Sequence, residues 1–128
     1  MSEKAMSFNA IVSGVATGLV YLFGGLDIAL ITLLIFIIID YITGVTSSYL
    51  SHNWNSAKGY KGIAKKVGIM LLVIVAVQLD RLTNADALFR NLVCFFYIAN
   101  EGLSILENLG KIGVPIPAKI KEALEQLK

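Results

Sequence analysis

A chain of 128 residues that is 56% hydrophobic and only 16% charged carries more apolar surface than a soluble core of that size can hide. Its formal net charge of +2 is too slight to imply nucleic acid as a partner. One cysteine, Cys94, and one histidine, His52, exclude an internal disulfide and a histidine metal cluster. The apolar residues fall in long blocks, the pattern of bilayer-spanning helices. The expected fold is therefore an all-α integral membrane protein: one membrane domain over 1–128, with about four transmembrane helices and a short amphipathic tail.

The opening MSEKAMSFNA lacks the basic region, apolar core and cleavage site of a secretory signal. The first apolar block is thus expected to remain in the mature protein. It covers 8–23 and ends at Gly24-Gly25. Gly14 and Gly18 stand in a GxxxG spacing with Ser13 and Thr17 beside them. Small residues on one face let two helix backbones approach closely in lipid, and packing against a neighbour within the chain is the plainer use of that face.

The second block, 26–50, is lipid-compatible until Asp40. Asp40, Thr43, Gly44, Ser47 and Ser48 then fall within about 140° of one another on a helical wheel. A connector, SHNWNSAKGYKG, has turn chemistry and precedes the third block at 63–82. Trp54 and Tyr60 beside the lysines read as an interfacial belt rather than a nucleic-acid surface. The fourth block, 88–109, is amphipathic at membrane depth: Tyr97, Asn100, Glu101, Ser104, Glu107 and Asn108 share an arc of about 120°. Arg90 falls within that arc two to three turns earlier.

If the chain crosses four times, nine of its eleven basic residues lie on one side: Lys4, Lys58, Lys61, Lys65, Lys66, Lys111, Lys119, Lys121 and Lys128. Basic residues near span ends stay cytoplasmic, so both termini are expected there. Pro115 and Pro117 fix the exit into a tail, 117–128, whose Ile120, Ala123, Leu124 and Leu127 share one face. That tail is expected to rest on the bilayer surface or on a neighbouring subunit, or to stand as a solvated end-cap helix.

Acids within apolar segments should face a partner helix, a basic residue or water. Polar stripes of the second and fourth helices could meet between subunits or line an aqueous lesion. Alternatively, Glu107 and Asn108 are ordinary helix-end residues at the interface, with only Asp40 and Glu101 embedded. Asp27, after the glycine turn, reads as an interfacial residue. No GxSxG, HExxH, P-loop or CxxC is present. Without a nucleotide-binding signature, the three acids are poor grounds for the magnesium site of a small lipid kinase, and no enzyme, cofactor or metal is expected.

Asp40-x-x-Thr43-Gly44, NSAKGYKGIAKK at 55–66, Asp80 after the third span, and EGLSILENLGKIGVPIP at 101–117 together resemble the toxin-secretion/phage-lysis holin family, found in phages and clostridial toxin loci. The resemblance covers roughly residues 30–125. It implies a non-enzymatic protein that self-associates in the bacterial cytoplasmic membrane, opens lesions, depolarises the cell, and releases an endolysin or a toxin. Its motifs fall on Asp40, Gly44, Glu101, Ser104, Glu107 and Asn108. Lys58, Lys61, Lys65 and Lys66 would hold a cytoplasmic loop, and Gly59, Gly62, Gly113, Pro115 and Pro117 would shape turns. The partners implied are other copies of the chain, the bilayer and, functionally, the released endolysin or toxin.

Holins often use two nearby starts, and Met1 and Met6 offer them here. Starting at Met6 removes both Glu3 and Lys4, which leaves the net charge unchanged and argues against a charge-based inhibitor. Two rival classes stand beside the holin. A four-helix proton-coupled multidrug-type transporter would carry a glutamate in its first span, and residues 8–23 contain no acid. A passive membrane anchor would use the tail as a dock.

Overall fold

Side-chain caps set where three helices begin. Ser2 accepts from the Ala5 N–H at 3.2 Å, Asp27 from Leu30 at 3.0 Å, and Asn55 from Lys58 at 2.9 Å, each satisfying a donor that the first helical turn leaves open. The resulting computed structural model describes residues 2–127; Met1 of the double start and Lys128 of the basic set lie outside the described residues. Its helices are α1 (Glu3–Leu22), α2 (Ile28–Leu50), α3 (Ser56–Thr83), α4 (Leu88–Ile112) and α5 (Ala118–Glu125), with no strand among the described residues. The first four are long and apolar enough to cross a membrane.

The third helix differs most from the sequence expectation. It starts at Ser56 rather than near Ile63, because the Asn55 cap opens it and the connector's glycines are helical. Gly59 and Gly62 do not shape a turn. Gly59 makes room for an aromatic ring, since a Cβ there would stand 2.6 Å from the Trp54 ring, while one on Gly62 would rest in ordinary contact with Tyr41 at 3.8 Å. Trp54 in turn stacks on Tyr49 with centroids 5.2 Å apart. Lys58, Lys61, Lys65 and Lys66 therefore stand on the opening turns of a helix, not on a loop.

The centre of the bundle is α4, which packs on α2, α3 and α5. Leu30, Leu33 and Ile37 of α2, Ile69, Val73 and Val77 of α3, and Cys94 and Ile98 of α4 form the core. Outside it, Ile35, Ile38 and Ile42 on α2 and Val67, Leu71 and Val75 on α3 remain exposed, as helices bathed in hydrocarbon require. No residue of α1 is buried. Its GxxxG face is open, with nothing within 4 Å of where a Cβ on Gly14 or Gly18 would sit, so it does not pack within the chain as expected.

The tail also departs from expectation. Gly113, at φ +108°, ends α4, and Pro117 starts α5. The chain then folds back onto its own α4 instead of leaving the bundle. Leu124 fills the notch at Gly102, where a Cβ would meet it at 2.8 Å and Phe36 at 3.1 Å.

Candidate functional site

Each of the three long core helices contributes one ionised side chain at the same depth. Asp40 stands ten residues before the end of α2, Lys66 ten after the start of α3, and Glu101 eleven before the end of α4. At the helical rise, all three lie about 15 Å inside one end of the bundle. The Lys66 ammonium donates to Asp40 Oδ2 at 2.6 Å and to Glu101 Oε2 at 2.8 Å. The side chains of Lys66, Asp40 and Glu101 are only 14%, 12% and 8% exposed. A charge at bilayer centre costs roughly 2.5–3.5 kcal/mol on insertion scales, so three unpaired charges would not persist there. The shared ammonium is what makes the arrangement tolerable, because each carboxylate finds a charge-assisted donor.

Asn108 completes the cluster from two turns further along α4. Its amide donates to Asp40 Oδ1 at 3.0 Å, to the Asp40 carbonyl at 3.2 Å and to Thr43 Oγ1 at 3.0 Å. Gly44 lies against it; a Cβ there would stand in ordinary contact, 3.5 Å from the Asn108 amide nitrogen. No buried side-chain nitrogen or oxygen among the described residues lacks a partner. Two clefts reach the cluster. One, of about 260 Å³, runs from Trp54, Lys58 and Lys111 past Ser47 and Ser48 to Asp40 and Lys66. The other, of about 430 Å³, lies on the opposite flank, where Tyr97, Asn100, Ser104 and Glu107 approach Glu101. Water can thus approach the ions from two sides of α4.

The sequence-derived polar set is divided by the structure. Asp40, Thr43, Gly44, Glu101 and Asn108 come together, while Ser47 and Ser104 line the approaches. Glu107 does not join the buried ions: its side chain is 68% exposed and pairs with Lys111 at 3.2 Å. Lys66 is the residue whose expected place changes most, from a cytoplasmic loop to the centre of the cluster. Its neighbours Lys58, Lys61 and Lys65 remain on the exposed surface.

A second charged assembly, at the other end, was not foreseen. Arg90, almost completely buried, forks onto Asp27 at 2.8 and 2.9 Å and donates to the carbonyls of Phe23 at 2.6 Å and Gly25 at 3.0 Å. It thereby clamps the α1–α2 turn to the start of α4. Glycine is favoured at position 24 on two counts: its φ is +75°, and a Cβ would stand 3.1 Å from Arg90 Cδ. The Arg90 guanidinium holds the Asp27 carboxyl below the usual carboxylate range. Asp80 of α3 accepts from the Phe89 and Arg90 N–H groups at 2.8 and 2.9 Å, capping an α4 that has no cap of its own. Arg81 reaches back to the Tyr21 carbonyl and lies over the Tyr21 ring, 3.9 Å from its centroid. The available sequence signal was the isolation of Arg81 and Arg90 from the other basic residues, together with an acid beside a glycine turn.

The profile of the bacteriophage holin family matches residues 17–128. An uncharacterized 14.9 kDa protein from the nagH 3' region of Clostridium perfringens is 53% identical over 84% of this chain and 82% of its own length. A Listeria monocytogenes protein, Lmo0128, is 38% identical over 95% of this chain and 86% of its own. A probable holin of Bacillus phage phi105 is 40% identical over 84% of this chain and 79% of its own. No solved structure matches the chain. With four apolar helices and a family profile spanning nearly all of it, this multi-pass membrane protein belongs to the bacteriophage holin family.

Proposed function

We propose that the chain acts as a holin. Copies gather in the bacterial cytoplasmic membrane, open lesions that depolarise it, and release a cytoplasmic endolysin, or in some settings a toxin. The observation that carries this reading is the family match over 17–128, joined by a relative named a probable holin. The geometry supports it. A protein that is harmless while dispersed and permeabilising when assembled needs polar groups satisfied internally in one state and reachable by water in the other. The Asp40–Lys66–Glu101 cluster, with a cleft on each flank, meets both requirements. The open Gly14–Gly18 face of α1 supplies a surface on which helices of two copies could approach closely.

On this reading the protein is non-enzymatic and needs no cofactor. The lysine-bearing end of the bundle faces the cytoplasm, as the distribution of basic residues requires, and both termini lie there. A proton-coupled multidrug-type transporter fits less well, because α1 has no acid between Lys4 and Leu22. Expression in bacterial cells separates the readings. A holin gives delayed, abrupt growth arrest, converted to lysis by a co-expressed endolysin. Continued growth with drug-dependent proton uptake would replace it with the transporter, and growth indifferent to both would leave a passive anchor.

A further inference from the structure

The tail helix sets charged side chains alongside the membrane-spanning length of α4. Its contacts descend along α4 as the chain proceeds: Ile116 shares a cleft with Leu106 and Glu107, Leu124 sits on Gly102, and Leu127 reaches the level of Phe95 and Phe96. The helix therefore runs antiparallel to α4 and straddles its middle, with Gly102 about 15 Å from the end of α4. Lys119, Lys121, Glu122 and Glu125 are all exposed, and none forms an ion pair among the described residues. Lys121 and Glu125 share a cleft with Leu103, Leu106 and Glu107, about 8–14 Å inside the end of α4, where charged side chains are costly against hydrocarbon.

The clasp itself is thin. Of the tail's apolar face, Leu124 is half-buried, whereas Ile120 and Leu127 stay 49% and 41% exposed. Such a helix can leave its groove and lie in the bilayer interface when lipid covers α4, as its amphipathic pattern allows.

We propose that α5 docks on α4 only where that side of α4 faces water, so that in the assembled lesion the tail lines the wall, with Lys121 and Glu125 beside Glu107. This rests on the holin reading and adds to it a wet side of the protomer: α4 with α5 toward the lumen, and the outer faces of α2 and α3 toward lipid. Docking of the tail and wetting of α4 then favour one another, since each state binds only its own environment.

The full chain carrying Leu106→Cys and Lys121→Cys tests this in dye-loaded vesicles of phosphatidylethanolamine and phosphatidylglycerol. Cys94 is buried, and the unsubstituted chain serves as its control. A short bismaleimide is added at low protein density, where dye is retained, and at high density, where it escapes. The cross-link within one chain, read by intact mass, should rise several-fold with dye escape. Adding Leu124→Ala to the pair should lower that yield. Equal yields in tight and leaking vesicles, no cross-link in leaking ones, or a yield indifferent to Leu124→Ala would overturn the inference while leaving the holin reading intact. Vesicles that stay tight at every density of the unsubstituted chain would overturn the holin reading, and this inference with it.

Discussion

Replacing Lys66 by methionine is the most informative single change. It keeps the aliphatic stem and removes the ammonium that both Asp40 and Glu101 use, at 2.6 and 2.8 Å. At those separations each pair attracts by about 6 kcal/mol if the effective dielectric constant is about 20. Most of that attraction is offset by the desolvation of three ions. The net loss on deleting one partner of a buried set is instead about 3–5 kcal/mol, because the remaining carboxylates lose their counter-ion, with Asp40 keeping only the neutral Asn108 amide. Neutralising them restores balance: Lys66→Met combined with Asp40→Asn and Glu101→Gln should recover most of the loss, since the isosteric amides carry no charge to be compensated. Reversible unfolding in mixed micelles by added dodecyl sulfate, followed by circular dichroism and the fluorescence of the lone Trp54, measures all three proteins. A loss below about 1 kcal/mol for Lys66→Met, or a triple variant no better than the single one, would refute the claim that this cluster holds α2, α3 and α4 together.

The opposite end yields three further expectations under the same assay. Arg90→Lys should lose about 2–4 kcal/mol, because one ammonium cannot fork onto Asp27 while also reaching the carbonyls of Phe23 and Gly25; a loss within error would mean the clamp is idle. Gly24→Ala should lose about 1–3 kcal/mol from its positive φ and its approach to Arg90, and an unaffected variant would contradict that geometry. The Asp27 carboxyl is held below its ordinary 3.8 by Arg90, so its contribution is fully present above that value and fades as pH falls through the lower folded-state value. The stability difference between the unsubstituted protein and Asp27→Asn should therefore stay flat from about pH 8 to about pH 5 and close only in stronger acid; closure already near neutrality would show that another group is responsible.

Much of this architecture was legible because the bilayer imposes simple patterns. Four apolar blocks became four helices, and the polar arc of α4 was readable from the spacing of Tyr97, Asn100, Glu101, Ser104, Glu107 and Asn108. What escaped was pairing across distance. Lys66 lies 26 residues from Asp40 and 35 from Glu101, and beside Lys65 it looked like one more interfacial anchor. A helical-face argument would not have singled it out. Gly59, Ile69, Val73, Ala76 and Asp80 form the buried face of α3, and Lys66 falls within their arc, but Lys58 does too and Lys65, four residues before Ile69, lies at its edge. The early start of α3 was hidden by Gly59 and Gly62, which read as turn residues, whereas Gly59 serves as the seat of the Trp54 ring. The return of α5 onto α4 was hidden likewise, because an apolar stripe fits a membrane surface and a neighbouring helix equally well.

Permeabilisation itself is tested most directly by the membrane potential of single growing cells, followed with a voltage-sensitive dye while the chain accumulates. A holin predicts a potential that stays steady for many minutes of synthesis and then collapses within one cell in a single step, before any lysis. A potential that remains intact at the highest attainable membrane density, or that declines in proportion to protein from the first copies made, would contradict that account.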